Sequence, residues 1–521
     1  MLFAVSSWMP DQPRLNNPGD IQALNVIPAQ YAYEPFPGLT QAATGSTAGQ
    51  MYGATYARDN ANNSYIYAGD VSALYSVVAG SLNAVTRSGG SGAYATDTTN
   101  GWEFVNWGQT VIAVNGQDGD YPQTISLGAA HFANLSGAMP AAHIAVINNF
   151  VVLGNISDSA TEVQRVRWSG LNNATDWSLS SEAATLSDYQ DIVGNGGWLQ
   201  KITSGEQGGY VFMEREIWSM VFVGSPLVFQ FTKLIDNMGA YCSNGVVQYE
   251  NMVYFIATDG FKAFNGSNIT DIGQGMVDET FLADLDTGYL GSVRAIVVPQ
   301  YKAVMWAYPG AGHSGSKCNK VMVYSYAFNK WALVEIPSAY GSNIEIIAIA
   351  STPGYTLDGL NAVSTDLDTL PYSLDSREWT GGQLVMSAYV NGVLYYLNGT
   401  PLNATVEIGE TNLMARQPML PYQQPTRSLV ANRAQIDQVY PFVEGIPAFV
   451  SGTATTSVNV SINHRDGQQD ALKTYEAGTP NSSGYVVTRV QSRYASFVIS
   501  TSGTYSQIQG FDVEFVNAGR R

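Results

Sequence analysis

Charge is scarce in this chain: Asp, Glu, Lys and Arg together make up 13% of its 521 residues, about half the usual share. What charge there is leans acidic, with 24 basic against 42 acidic residues and a formal net charge of −18. No stripe of Lys and Arg is present, which excludes a protein that holds nucleic acid by neutralising phosphates. DNA brought near such a surface is repelled and slides, over a range set by a Debye length of about 8 Å at physiological salt. Cysteine is limited to Cys242 and Cys318, which read as two free, half-buried thiols rather than a disulfide, and no C-x-x-C metal spacing exists. The four histidines, His131, His143, His313 and His464, share no short spacing, so none is assigned a metal or catalytic role. No apolar run approaches roughly eighteen residues, and the start, MLFAVSSWMPDQPR, lacks the basic opening of a signal peptide. The expectation is a soluble chain, made in the cytoplasm, that does not insert into membranes.

What is abundant is turn and strand chemistry: 52 Gly and 31 Tyr within a composition that is 45% hydrophobic. Residues 237–273, NMGAYCSNGVVQYENMVYFIATDGFKAFNGSNITDIG, give the pattern in its clearest form. An apolar run at 252–257 stops at Asp259-Gly260, resumes at 261–264 and stops again at Asn265-Gly266. Asp-Gly and Asn-Gly supply the positive φ of tight hairpin turns, so this stretch is strand, turn, strand, turn.

The same unit recurs at 64–68 with 73–78, 102–105 with 109–114, 143–147 with 150–153, and 210–213 with 217–222. It appears again at 293–298 with 303–308 and 321–326, and at 384–388 with 393–397. Irregular spacing with variable loops suits four-stranded blades, which predicts an all-β protein whose residues 46–412 form a β-propeller of six or seven blades, some incomplete. One short helix is expected within 274–286, where Met276, Phe281 and Leu282 partly share a side. Prolines 10, 13, 18, 28, 35 and 37 punctuate residues 1–45 and remove strand donors, so that region reads as an extended arm. Its apolar residues make it sticky enough to pack on its own body or on a neighbouring subunit. Residues 413–433 read as a proline-bearing connector, and period-two alternation such as Val458-Val460-Ile462 and Phe511-Val513-Phe515 predicts a C-terminal β-sandwich over 434–521.

Several blocks resemble one family. They are Pro10-Asp11-Gln12-Pro13, Asn17-Pro18-Gly19, Asn25-Val26-Ile27-Pro28 and Tyr33-Glu34-Pro35 in the arm, WSGLNNATDWSLS at 168–180, GGYVFMEREIWSMVFVG at 208–224, the stretch 237–273, and residues 489–521 closing on Gly519-Arg520-Arg521. These are similar to tail nozzle or head-completion (packaged-DNA stabilisation) proteins of short-tailed bacteriophages. The resemblance implies a β-propeller in a homohexameric ring below the portal and adaptor. Such a ring extends the DNA channel, helps retain the genome and support its ejection, and carries tail fibre or needle proteins. It implies a virion tail location, double-stranded DNA passing without sequence-specific binding, and no cofactor. The arm residues Trp8, Pro10, Asp11, Pro13, Tyr31, Tyr33 and Phe36 become the expected subunit or adaptor interface, and Arg493, Tyr494, Gly510 and Arg520 the C-terminal motif. On that reading, loss of residues 1–40 leaves the propeller folded but blocks assembly.

Catalytic patterns do not assemble. GAGHSGSK at 310–317 approaches a phosphate loop, but Ser316 separates Gly315 from Lys317 and strand patterns flank it; G-x-S-x-G is absent around Ser314. Asp118-Gly119-Asp120 and the acidic turn at 466–470 lack a calcium-ligand array. Ser373, Asp375 and Trp379 approach a sialidase Asp-box, yet Arg377 stands where glycine belongs, and the separation of Asp366 from Asp375 is not set by sequence. Tryptophans 168, 177, 198, 218, 306, 331 and 379 read as blade-core residues rather than sugar platforms. No catalytic or metal-binding residue is therefore assigned. The alternative is a tail-borne glycan-binding or depolymerase propeller.

Overall fold

The structure is a computed structural model that describes all residues except 44, 48, 62, 79–80, 88–92, 118, 157–161, 180–185, 206–207, 314, 341–342, 352–383, 414–432, 446–455 and 519–521. Nearly all of the described secondary structure is β, and much of it falls into successive antiparallel four-stranded sheets. Six four-stranded sheets, and a four-strand run within a ten-stranded sheet, each begin with one strand of a recurring set: Met51–Arg58, Glu103–Trp107, Ala141–Ile147, Leu199–Gly205, Val247–Tyr249, Arg294–Val298 (the ten-stranded sheet) and Ile346–Ser351. These first strands neighbour one another in sequence order, and the last packs against the first, so the described sheets form a closed, propeller-like cycle.

Local chemistry explains the sheets. Phe150–Ile156 is buried at every position, as expected of a second strand covered on both faces. In the stretch 237–273, Met252–Ala257 pairs with Gly260–Phe264 across the Thr258-Asp259 turn, with Ala257 opposite Gly260. Gly260 does more than turn the chain: its φ is +131°, and a Cβ there would lie 2.2 Å from the carboxyl carbon of Asp278. Asn265 makes the next turn by accepting the N–H groups of Ser267 and Asn268 at 3.0 and 2.8 Å. The one described α-helix is Asp278–Asp284, inside the expected interval. Packing between sheets is aromatic: Phe261 lies 4.8 Å from both Trp306 and Trp331, whose indoles are stacked at 6.0 Å.

The first 45 residues are not an extended arm. Leu2–Ala4 pairs with Gln507–Asn517, and Val26–Pro28 and Tyr33–Pro35 form a hairpin at the edge of the same sheet. Gly38–Gln41 is the outer strand of the last four-stranded sheet, beside Val393–Gly399. Asp20–Leu24 lies parallel to Lys330–Glu335 and antiparallel to Ala404–Ile408. The prolines misled because Pro28 and Pro35 sit in a three-residue edge hairpin, where a missing N–H costs little. Six strands from 434–517 divide between two layers: Ala434–Glu444, Val486–Ser492 and Gln507–Asn517 in one, Ser457–Arg465, Lys473–Gly478 and Tyr494–Ser502 in the other. Phe497 joins the layers, 5.3 Å from Phe3 and 5.7 Å from Phe511. The second layer runs on through Ala404–Ile408 and Asp20–Leu24 into the sheet that begins at Arg294, so the two bodies share one continuous sheet.

Candidate functional site in the central cavity

Five of the first strands, Met51–Arg58, Glu103–Trp107, Leu199–Gly205, Arg294–Val298 and Ile346–Ser351, line a cavity of about 320 Å³. Its wall is apolar where Ile296, Ile347 and Phe104 contribute, and charged at Glu103, Lys201 and Arg294. Lone charged residues in strands of this kind are costly unless paired.

Glu103 is paired twice. One carboxylate oxygen is 3.0 Å from Lys201 Nζ and the other 3.0 Å from His143 Nδ1, so three successive first strands are bonded through one side chain. Burial works to raise the Glu103 pKa, but the Lys201 ammonium and the His143 contact outweigh it and hold the group below the usual glutamate value. With a carboxylate as acceptor, His143 Nδ1 carries the hydrogen of this contact. Its Nε2 is buried with no hydrogen-bond partner among the described residues.

Arg294 is different. It is 8% exposed and forms no ion pair among the described residues. Nη1 donates to the carbonyls of Gly291 and Val293, the latter at 2.9 Å, and Nη2 to that of Tyr52 at 3.2 Å. Burial pushes its pKa down to about 10, against the pull of Cys318, Cys242 and Tyr52, so it remains a cation at neutral pH. Both cysteines are free and fully buried beside it, and burial raises their thiols to about 12, which leaves them protonated and inert.

The residues expected at a subunit interface lie elsewhere. Trp8, Tyr33 and Phe36 are buried in this chain's own core, where Trp8 Nε1 donates to Ile21 and the Tyr33 hydroxyl to Ser6. They are committed internally because the strands around them pair with the C-terminal layers. Asp11 receives the backbone N–H groups of Glu279 and Thr280, both at 2.9 Å, at the start of the short helix. Pro10 is half-buried and Pro13 exposed, and Tyr31 is 77% exposed. In the C-terminal motif Tyr494 is buried under the Arg493 guanidinium, 5.2 Å from its ring centre. Gly510 is needed for close approach, since a Cβ there would lie 2.1 Å from the Phe3 carbonyl oxygen. Arg520 lies outside the described residues, as do Ser373, Asp375, Arg377, Trp379 and Asp366.

The rejected motifs take structural parts. Lys317 of the glycine-rich loop is bound by Glu345 at 3.0 Å and Asn391 at 2.8 Å, and strands flank the loop on both sides. Asp470 closes its own turn by accepting the Gly467 N–H. Of the tryptophans, Trp198 departs from the core reading at 56% exposed. Among the described residues no group of three or more His, Cys, Asp or Glu could hold a metal ion, and no helix is long and apolar enough to cross a membrane. The buried charges of the cavity were missed in the sequence, although Glu103, Lys201 and Arg294 each stand as a lone charge near the start of an otherwise weakly charged first strand.

No family model and no curated protein matches the chain. Among solved structures it is similar to the extracellular domain of a hybrid two-component system from B. thetaiotaomicron, at 8% identity and a TM-score of 0.43, over 79% of this chain and 43% of that one. It is also similar to the Neurospora crassa Pan2 WD40 domain, at 8% identity and TM-score 0.37, over 71% and 96% of the two chains. A catalytically inactive virginiamycin B lyase from Staphylococcus aureus gives 10% identity and TM-score 0.37 over 69% and 99%. The chain thus spans less than half the length of the first of these structures.

Proposed function

We propose that the six four-stranded sheets, together with the four strands from Arg294 to Glu335, are the seven blades of a β-propeller, and that the chain is a structural, ring-forming subunit of a short phage tail. In this reading six copies surround the DNA path below the portal and adaptor, the acidic balance keeps DNA from adhering, and fibre or needle proteins attach to the ring. One observation carries it: the first and last described strands pair with each other, and the segments between residues 20 and 41 complete other sheets. Residues Leu2–Ala4 pair with Gln507–Asn517, Gly38–Gln41 completes the last sheet, and Asp20–Leu24 bridges the two bodies. The strand Gln507–Asn517 cannot leave without breaking its ladders with Leu2–Ala4, Tyr33–Pro35 and Ala434–Glu444, which suits a part loaded by packaged DNA. The buried carboxylates serve the same end, as with Glu410 gripping Arg465 and Glu216 gripping Lys233. Exposed Val223 and Leu227, around the end of the long hairpin of the sheet that begins at Leu199, offer apolar contact to a neighbouring copy.

The test is assembly. Purified full-length protein, mixed with portal and adaptor complexes, is expected to give six-fold rings on the tail axis by electron microscopy. A stable monomer that cleaves polysaccharide and never joins the portal vertex refutes the proposal in favour of a depolymerase.

A further inference from the structure

Independently of that assembly role, we propose that the central cavity binds a small organic or inorganic oxyanion, a carboxylate or a phosphate, on the guanidinium of Arg294. Every other charged side chain on the cavity wall has a partner: Lys201 is bound to Glu103, and Glu103 also to His143. On this wall only Arg294 has no counter-ion among the described residues, at 8% exposure. Its three hydrogen bonds go to the neutral carbonyls of Gly291, Val293 and Tyr52. Carbonyl oxygens fix the guanidinium in place without cancelling its charge. A guanidinium has five N–H groups, so two remain for a ligand.

Burying a cation is costly, and hydrogen bonds to neutral carbonyls offset that cost only in part; among the described residues no carboxylate is directed to this guanidinium. Lys201, Glu103 and Arg294 together give the cavity wall a net positive charge inside a protein whose overall balance is −18. The volume of about 320 Å³ lies at the lower end of ligand pockets, roughly 300–1,000 Å³, and is far more than one water needs. Trp102, Phe104 and Tyr56 give the wall flat apolar faces, and Thr55 and Asn244 give it polar ones. That combination fits an anion with a compact body, such as a sugar acid or a sugar phosphate, better than a bare halide.

Isothermal titration of the full chain in low-chloride buffer, with glucuronate, inorganic phosphate and uncharged glucose as separate probes, tests this. Binding of glucuronate or phosphate without binding of glucose is expected, and whichever binds more tightly identifies the carboxylate or the phosphate as the natural source. Arg294→Met is expected to weaken that binding about ten- to hundredfold, the worth of a charged hydrogen-bond pair. If that variant fails to fold, crystals of the unaltered protein soaked in selenate decide, because an anomalous peak is expected beside Arg294. No heat with either anion, together with no peak beside Arg294, overturns the assignment, as does anion binding that Arg294→Met leaves unchanged.

Discussion

Asp11 Oδ1 accepts both the backbone N–H and the hydroxyl of Thr280, at 2.9 and 2.6 Å, and so caps a helix to which it is remote in sequence. Its other oxygen takes the N–H of Glu279 at 2.9 Å. The residue just before the helix, Val277, offers no side-chain cap of its own. Free N–H groups at a helix start favour a carboxylate both as an acceptor and through the helix dipole. Asp11→Ala is therefore expected to destabilise the protein by about 1 kcal/mol, and Asp11→Asn by less, as read from urea midpoints. Equal midpoints for all three proteins would show that this contact contributes nothing.

Removing residues 1–40 is expected to prevent folding rather than assembly alone. The cut takes most of Gly38–Gln41 from the last four-stranded sheet and Asp20–Leu24 from between two others, which leaves unpaired edges on both sides of the gap. It also removes Trp8, Tyr33 and Phe36 from the largest apolar core. Circular dichroism and limited proteolysis of the truncated chain check this. A cooperative unfolding transition with native-like protease resistance would restore the idea of an arm needed for assembly but not for folding.

These two relationships mark where sequence reading stopped. The hairpin at 252–264 was legible because its turn residues and apolar runs are contiguous, and the short helix because its apolar side repeats locally. The pairing of Leu2 with Asp512, or of Leu39 with Leu397, leaves no such trace, since the partners are far apart in sequence and the segments holding Leu2 and Leu39 are only three and four residues long. The cavity was hidden for a related reason. Glu103, His143 and Lys201 are far apart in sequence, and only the cyclic order of first strands brings them within 3.0 Å contacts. The cysteines, by contrast, were read correctly as free thiols, and the structure adds that they are fully buried rather than half-buried.

Replacing Glu103 with Gln is expected to destabilise the protein at pH 7 by about 3 kcal/mol, because it leaves the Lys201 ammonium without its partner. The folded-state pKa of Glu103 is depressed, so its contribution is present in full above the ordinary value of 4.5 and is lost as pH falls through the lower folded value. The gap between wild type and Glu103→Gln, measured by urea denaturation, should accordingly be constant from pH 7 to about pH 5 and narrow below it. A gap that widens in acid would mean the carboxylate is not held ionised by these partners.

Asp20 has the opposite sign. Burial raises its pKa from 3.8 to about 7, while the Ser6 N–H, 2.8 Å from Oδ2, pulls it back down. An acid whose folded pKa exceeds its unfolded one binds its proton more tightly when folded, so the protein gains stability as pH falls from about 7 toward 3.8 and loses it as Asp20 ionises above that window. Asn in its place keeps an oxygen for the Ser6 N–H and removes the titration. Between pH 8 and pH 5 the melting temperature of wild type should rise as proton uptake by Asp20 favours the fold, and that of Asp20→Asn should rise less. Parallel curves for the two proteins would place the proton elsewhere. The effect bears on construction as well as stability, because Asp20 opens the strand that joins the propeller-like cycle to the C-terminal layers. A neutral Asp20 lets that junction form with a buried hydrogen bond in place of a buried charge.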